Sequence, residues 1–300
     1  MVGMLSIMAA SFLWALDTLI RYPLVDGGIN PVVIVFLEHL ILTFVFLPKL
    51  VNNLPMIGSL TLSHGFSFLV VGAGGSAIAT IAFTSAFIYL NPSLVILLQK
   101  FQPVIAILLA HWILKEPLPR PYLFWASICL IGALLISGPD IEKVIQLLRM
   151  DPSRLASDGA IRGYGLVAIS VLCWGASTVF GKKLTLDGFE PTNIAGGRFL
   201  VGLMTIAFFV PWGQDFIFKD QTDYIRLLVM VIFSGALAMW FYYQGMKRLQ
   251  AKVVTIIEMF FPLMAILVNY VFLGKQLSDV QLLGGALLMF GACILQFKKY

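Results

Sequence analysis

Five ionisable side chains fall inside apolar stretches where charge is rare: Asp17, Glu38, Lys100, Arg198 and Glu258. A charge at the centre of a bilayer costs about 2.5 to 3.5 kcal/mol on insertion scales, so each one requires a partner or a wet cavity. In the topology derived below, Asp17, Glu38 and Lys100 lie in the outer part of their spans, and Arg198 and Glu258 in the inner part. The expected arrangement is two clusters, with Asp17 and Glu38 around Lys100 toward the outside and Arg198 with Glu258 toward the cytoplasm. Two acids and one base leave a surplus carboxylate that could titrate or bind a cation. For Arg198 and Glu258 a static interhelical pair is the alternative, since it meets the desolvation cost without touching any solute.

Aromatic residues supply a second element. Trp14 stands three residues before Asp17, and Trp174 three before Ser177, so each helix offers an indole and a polar group on one face. Trp240, Tyr243 and Gln244 form a similar face, and Gln99 and Gln102 flank Lys100. Together these residues could line a cavity for an amphipathic solute, with rings against its apolar body or cation and polar groups fixing its ends. Trp112, Tyr122 and Trp212 lie near span ends and suit an interfacial belt, which does not account for Trp14 and Trp174 near mid-span. Pro103 and Pro262, beside Lys100 and Glu258, each remove a backbone hydrogen bond and kink a helix, so they are candidate hinges or sources of freed carbonyls. The small-residue run Gly72, Ser76, Thr80 and Thr84 reads as ordinary close helix packing.

Other chemistries find no support. His39, His64 and His111 stand apart, without an H-E-x-x-H or G-x-S-x-G arrangement, so no catalytic residue is assigned. Cys129, Cys173 and Cys293 sit in apolar runs with neither C-x-x-C nor H-x-C spacing, so no disulfide, metal site or cofactor is expected. There is no P-loop, so ATP-driven action would need a separate subunit.

The elements that must position these residues follow from composition. Of 300 residues 60% are apolar and only 12% charged, which excludes a soluble protein because a water-facing surface needs far more charge. Mean hydropathy is +0.94, so lipid is the solvent. A formal charge of +5 is too small and dispersed for a nucleic-acid partner. A spanning helix needs roughly 20 mostly apolar residues. Ten segments qualify: 3–22, 31–50, 66–89, 92–114, 119–138, 163–184, 191–212, 223–248, 251–273 and 278–297. Turn signals such as Asp26-Gly27-Gly28, Asn30-Pro31, Asn91-Pro92 and Asp187-Gly188 separate them. The first run lacks a basic leader and carries Asp17, which argues against a cleaved signal peptide.

The fold class is therefore an all-α polytopic membrane protein with ten transmembrane helices. Only the connection from Gly138 to Arg162 is long; Ile141, Val144, Ile145 and Leu148 recur at helical spacing within it, predicting an amphipathic helix on the membrane surface. Ten Lys and Arg side chains fall on the side shared by both termini, among them Lys49, Lys115, Lys182 and Lys183, against eight on the other side, where Arg21 and Lys275 are counted in short loops. Both termini are thus expected in the cytoplasm.

Sliding the chain over itself matches Trp14 to Trp174, Thr18 to Thr178 and Pro31 to Pro191 at an offset of 160. An offset of 159 then matches Phe101 to Phe260, Pro103 to Pro262 and Gly132 to Gly291. Five spans per half would make the second half enter the membrane from the opposite side, giving a 5+5 inverted repeat suited to alternating access. The parts are a first repeat over 1–138, an extracytoplasmic linker over 139–162 and a second repeat over 163–300.

In this plan, and in Phe101-Gln102-Pro103-Val104-Ile105-Ala106 with Leu114-Lys115-Glu116-Pro117-Leu118, answered by Phe260-Phe261-Pro262-Leu263-Met264-Ala265 with Leu273-Gly274-Lys275-Gln276-Leu277, the chain resembles the EamA family of the drug/metabolite transporter superfamily. One departure is Lys275, where the match to Glu116 would place an acid. The resemblance implies a secondary transporter, working as an exporter in the bacterial inner membrane. The solute is expected to be a small amphipathic metabolite such as an amino acid or amine, moved by alternating access, with proton coupling through the outer acids. A monomer or weak homodimer in the lipid bilayer is expected. A membrane-embedded enzyme and a passive facilitator or pore are the alternatives.

Overall fold

A computed structural model of the chain describes residues 2–51, 60–118, 121–150, 159–213, 220–246, 248, 257 and 260–297. With no water in the hydrocarbon, backbone N–H and C=O groups must be satisfied within each segment, and every regular element among the described residues is helical. We number the rods in chain order: α1 (Val2–Asp26), α2 (Pro31–Val51), α3 (Leu62–Ala86), α4 (Pro92–Ile113), α5 (Tyr122–Met150), α6 (Gly159–Leu186), α7 (Pro191–Ala207), α8 (Gln221–Met246), α9 (Phe260–Leu273) and α10 (Asp279–Phe297). Six described stretches, within α1, α2, α3, α4, α6 and α8, are long and apolar enough to cross a membrane. Tyr122–Gly138, Phe260–Leu273 and Asp279–Leu295 are apolar but shorter. The chain is thus an integral, polytopic helical membrane protein.

Local chemistry sets the ends. Asn91 accepts from Ser93 N at 2.9 Å with Pro92 in the first turn of α4, and Asp220 accepts from Thr222 N at 2.9 Å at the start of α8. Thr61 and His64 form a reciprocal capping box on α3. The turns after α1 and α6 are closed by Gly28 at φ 85° and Gly188 at φ 94°, a region open to glycine because it has no Cβ.

Two features depart from straight α-helix. α3 and α8 each carry a π-helical segment, Val70–Ile78 and Val231–Leu237. α4 breaks at Lys100–Phe101, between Pro92–Gln99 and Gln102–Ile113. Pro103 has no N–H for the carbonyl of Gln99, and the chain bridges the gap with tighter bonds from Lys100 N to Leu97 O and Phe101 N to Leu98 O.

Packing divides the rods into two bundles, α1 with α8 and α9, and α6 with α3 and α4, alongside an α2–α7 pair and an α5–α10 pair. The α5–α10 contact is close because Gly132 and Gly284 face each other; a Cβ on Gly284 would stand 2.7 Å from Gly132 O. Backbone details recur between the halves. Glu116 N bonds to Ala110 O as Lys275 N bonds to Asn269 O, and Ile29 N bonds to Leu24 O as Phe189 N bonds to Leu184 O. Left-handed residues also recur after α4 and α9, as Lys115 at φ 59° and Gly274 at φ 62°.

The helix expected after Gly138 is present, as a continuation of α5, which runs unbroken from Tyr122 to Met150. One expectation is corrected. Tyr122 is not part of a belt, since it is buried and donates to Val104 O at 3.0 Å. Trp112 and Trp212 are exposed, as a belt requires.

Candidate functional site

Where the two bundles meet lies an open-sided cavity of about 630 Å³. Eight helices contribute to its lining. α1 contributes Trp14, Asp17 and Arg21 at i, i+3, i+7, and α6 contributes Trp174, Ser177, Thr178, Gly181 and Thr185. Glu38 and His39 come from α2, Ser76, Thr80 and Phe83 from α3, and Arg198 and Phe199 from α7. The break in α4 delivers Gln99, Lys100 and Gln102, the π segment of α8 delivers Ser234 and Gly235, and α9 adds Phe261. π segments inside helices are frequent at functional sites because the extra residue re-aims side chains.

Arg21 is the hub of the polar wall. Its Nε donates to Asp17 Oδ2 at 2.6 Å and its Nη2 to Asp17 Oδ1 at 3.1 Å and Glu38 Oε2 at 3.0 Å, while Nη1 reaches Thr84 Oγ1 at 3.3 Å. The base shared by the two acids is therefore Arg21 and not Lys100, which corrects the expected outer cluster. The reason is length: α1 runs to Asp26, so Arg21 lies a turn inside the helix end instead of in a loop, and is 4% exposed. Ser234 Oγ lies 2.7 Å from both Asp17 Oδ1 and Met230 O, two acceptors that share its one hydroxyl proton. Lys100 places its ammonium 4.8 Å from the Phe261 ring centroid, a cation–π contact.

Arg198 also faces this cavity, where its Nε donates to Ser76 Oγ at 3.2 Å and its Nη2 to Gly75 O at 3.4 Å, within electrostatic reach of Glu38. Glu258, its expected partner, lies outside the described residues. Gln99 Oε1 is a buried acceptor with no hydrogen-bond partner among the described residues. Gln102 Nε2 donates to Thr178 Oγ1 at 3.1 Å, tying the second half of α4 to α6.

Rings flank the polar wall. Trp14 packs on Tyr242 at 5.4 Å and Trp174 on Phe83 at 5.2 Å, so both mid-span indoles are held by aromatic neighbours while lining the cavity. Of the residues singled out by sequence, Trp14, Asp17, Glu38, Gln99, Lys100, Gln102, Trp174, Ser177 and Arg198 come together here. Trp240 and Gln244 do not: Trp240 is exposed against Phe241, and Gln244 accepts from Arg248 at 2.8 Å. Each residue of an α-helix turns the face by about 100°, so the π segment upstream rotates that i, i+3, i+4 face away from the cavity. The Tyr243 side chain lies outside the described set. Pro103 stands just after the break at Lys100–Phe101, and Pro262 in the first turn of the described α9; neither lines the cavity.

Sequence reasoning missed Arg21, His39, Ser76, Thr84 and Ser234. An Asp17–Arg21 spacing of i, i+4 was a usable signal for the first of these. Ser76 and Thr84, grouped with the packing residues, carry polar contacts, whereas Gly72 packs as expected: a Cβ there would stand 2.6 Å from Val201 Cβ.

At the end of α1 the bundles are in contact. Asn269 Nδ2 donates to Ser93 Oγ at 3.0 Å, Asn91 Nδ2 donates to Gln276 O at 3.0 Å, and Ala15, Ile96 and Ala265 form a small buried cluster. Toward the end of α6 the cavity lining extends as far as Thr185. Contacts there, the Lys182–Glu116 ion pair and His64 Nε2 at 3.5 Å from Asp187 Oδ2, join helices of a single bundle.

The EamA-like transporter family matches residues 1–138 and 161–297. The riboflavin transporter ImpX of Fusobacterium nucleatum subsp. nucleatum is 28% identical over 96% of this chain and 95% of its own length. An uncharacterized transporter, YyaM of Bacillus subtilis, is 19% identical over 79% of this chain and 76% of its own. A crystal structure sharing 17% identity superposes with a TM-score of 0.59 over 97% of this chain and 95% of that one, which shows a common fold.

Proposed function

From the premise that this chain belongs to the EamA-like transporter family, and so to the drug/metabolite transporters, we propose that it carries a planar heteroaromatic solute with a polar tail, riboflavin being the first candidate. The observation that carries the reading is the cavity itself: two indoles and two phenyl rings, Trp14, Trp174, Phe83 and Phe261, beside a wall of hydrogen-bonding and charged groups. A flat ring system has faces for the aromatics and an edge of acceptors and donors for the wall. A volume of about 630 Å³ suits a solute of vitamin size better than a lone amino acid. Amines fit less well than acceptor-rich solutes, because Asp17 and Glu38 already accept from Arg21 while Lys100 and Arg198 add positive charge.

The mechanism we infer is alternating access in a ten-span, 5+5 inverted repeat. Recurrent turns, left-handed residues and π segments at matching positions support the repeat. The α1–α8–α9 bundle would rock against α3–α4–α6 about the α2–α7 and α5–α10 pairs. In this form Asn269–Ser93 and Asn91–Gln276 close the α1 end while the cavity reaches toward the α6 end. By the distribution of basic residues the α6 end is cytoplasmic, as are both termini, and with Arg21 inside the bundle the opposing count of eight falls to seven. The membrane would then be the bacterial inner membrane. Glu38, which meets Arg21 through one carboxylate oxygen, is the group on which proton coupling would act.

The test is riboflavin movement into and out of proteoliposomes, with and without a pH gradient, for wild type, Trp14→Ala with Trp174→Ala, and Glu38→Gln. Saturable flux that the double tryptophan variant loses supports the assignment, and the direction of net flux decides export. A gradient response lost in Glu38→Gln supports proton coupling. Absence of saturable riboflavin flux in the wild type sinks the substrate assignment.

A further inference from the structure

Two buried groups, His39 and Ser76, form a chain that ends on the half-buried Arg198 of the polar wall. His39 Nδ1 lies 2.8 Å from Val35 O, and His39 Nε2 lies 2.8 Å from Ser76 Oγ, which in turn accepts from Arg198 Nε at 3.2 Å. The direction of each bond follows from what each atom can do. A carbonyl only accepts, so Nδ1 carries the proton; in the neutral ring Nε2 is then an acceptor, and the Ser76 hydroxyl must donate to it. That donation turns the serine oxygen's lone pairs toward Arg198, which has only N–H groups to offer. His39 and Ser76 are 2% and 1% exposed, so neither is a surface contact that solvent could replace.

The surrounding backbone is shaped around this chain. A Cβ on Gly202 would meet His39 Cδ2 at 3.0 Å and Ser76 Cβ at 3.1 Å, so glycine there gives the pair its room. Gly75 O takes a second bond from the guanidinium, and the plane of Arg198 is thereby fixed at two points by α3. A guanidinium is a planar fork whose reach depends on its orientation, so fixing the plane determines which solute atoms it can meet.

We propose that Arg198 is the specificity-determining residue of the cavity, selecting solutes that present an acceptor-bearing ring edge such as the two carbonyls of a heterocyclic imide, and that Ser76 and His39 are its positioning residues. This rests on the flavin reading above and names which part of the solute is recognised.

The experiment measures dissociation constants by flavin-fluorescence quenching in the detergent-solubilised full chain. The probes are riboflavin and two analogues in which one ring carbonyl oxygen, at position 2 or position 4, is replaced by sulfur, a weaker acceptor. The variants are Arg198→Lys, which keeps the charge but loses the fork, Ser76→Ala, and His39→Phe. The wild type should prefer riboflavin over at least one thio analogue by roughly tenfold or more, the worth of a charge-assisted hydrogen bond. Arg198→Lys and Ser76→Ala should bring that ratio close to one, with His39→Phe intermediate because Ser76 still accepts. A merely structural Ser76 would weaken all three flavins alike and leave the ratio unmoved. A ratio unchanged in Ser76→Ala and Arg198→Lys, or absent in the wild type while flavins bind, overturns this inference and leaves the flavin reading intact. No flavin binding at all overturns both.

Discussion

Replacing Arg21 by methionine gives the sharpest test of the polar wall. The side chain has five N–H donors, of which four contacts are made, to Asp17, Glu38 and Thr84 at 2.6 to 3.3 Å, joining α1, α2 and α3. Methionine keeps the packing of the stem but strands two carboxylates whose side chains are only 16% and 14% exposed. Breaking a buried pair from one side costs about 3–5 kcal/mol, because the remaining charge loses its compensation. At the slope usual for large domains that is a fall in Tm on the order of 10 °C. Unfolding of purified protein can be followed with a thiol-reactive dye through exposure of the buried Cys129. Two controls separate charge from packing. Glu38→Gln leaves the Asp17–Arg21 pair intact and should lower Tm by less than half as much. Asp17→Asn with Arg21→Met and Glu38→Gln removes all three charges and should recover most of the loss. The reasoning fails if Arg21→Met melts within about 2 °C of wild type, or if the triple variant is less stable than the single one.

Other expectations follow from particular residues. Lys115 adopts φ 59°, where its Cβ is strained, and the equivalent turn uses Gly274; Lys115→Gly should stabilise the protein by about 1 kcal/mol or less, read as a rise in Tm. Asn269→Leu removes a buried bond to Ser93 at the closed end and should raise modification of a cysteine placed at the neighbouring buried Ile96 by an impermeant thiol reagent; equal labelling with and without the substitution would count against that end as a gate. The amide and hydroxyl of Thr222 hold the Asp220 carboxyl below the ordinary carboxylate range. Its folded value is depressed, so the cap contributes fully above the unfolded value and is lost as pH falls through the folded one. Hydrogen exchange in the first turn of α8 should therefore accelerate on acidification in wild type and respond less in Asp220→Asn.

How much of this was legible in sequence depended on what each residue had to be compared with. Trp14, Asp17, Glu38, Trp174 and Arg198 stood out because lipid makes polar and mid-span aromatic residues costly, and all five line the cavity. Arg21 was hidden by its place near a helix end, where a long basic side chain normally snorkels to the interface. The four residues by which α1 outruns the expected span put it inside instead. His39 and Ser76 carried no periodic signal, since a histidine and a serine in separate helices become a pair only through three-dimensional contact. Trp240 illustrates the opposite failure: its helical face was read correctly, but the π segment ahead of it changed where that face points. Helix periodicity assumes a constant turn per residue, and one wide turn is invisible to it.

Those wide turns also bear on history. A residue gained by a helix without a shift in the rest of the structure would widen one turn in this way. Val70–Ile78 and Val231–Leu237 occupy matching registers in the two halves, and each delivers a small residue, Ser76 or Ser234, to the polar wall. Two independent insertions landing on the same turn are a less economical account than one. If the proposed 5+5 repeat arose by duplication, the insertion would predate it, and a single ancestral half would already have bent this helix toward a partner copy of itself. The cavity's geometry would then be older than the charges that now distinguish its two sides.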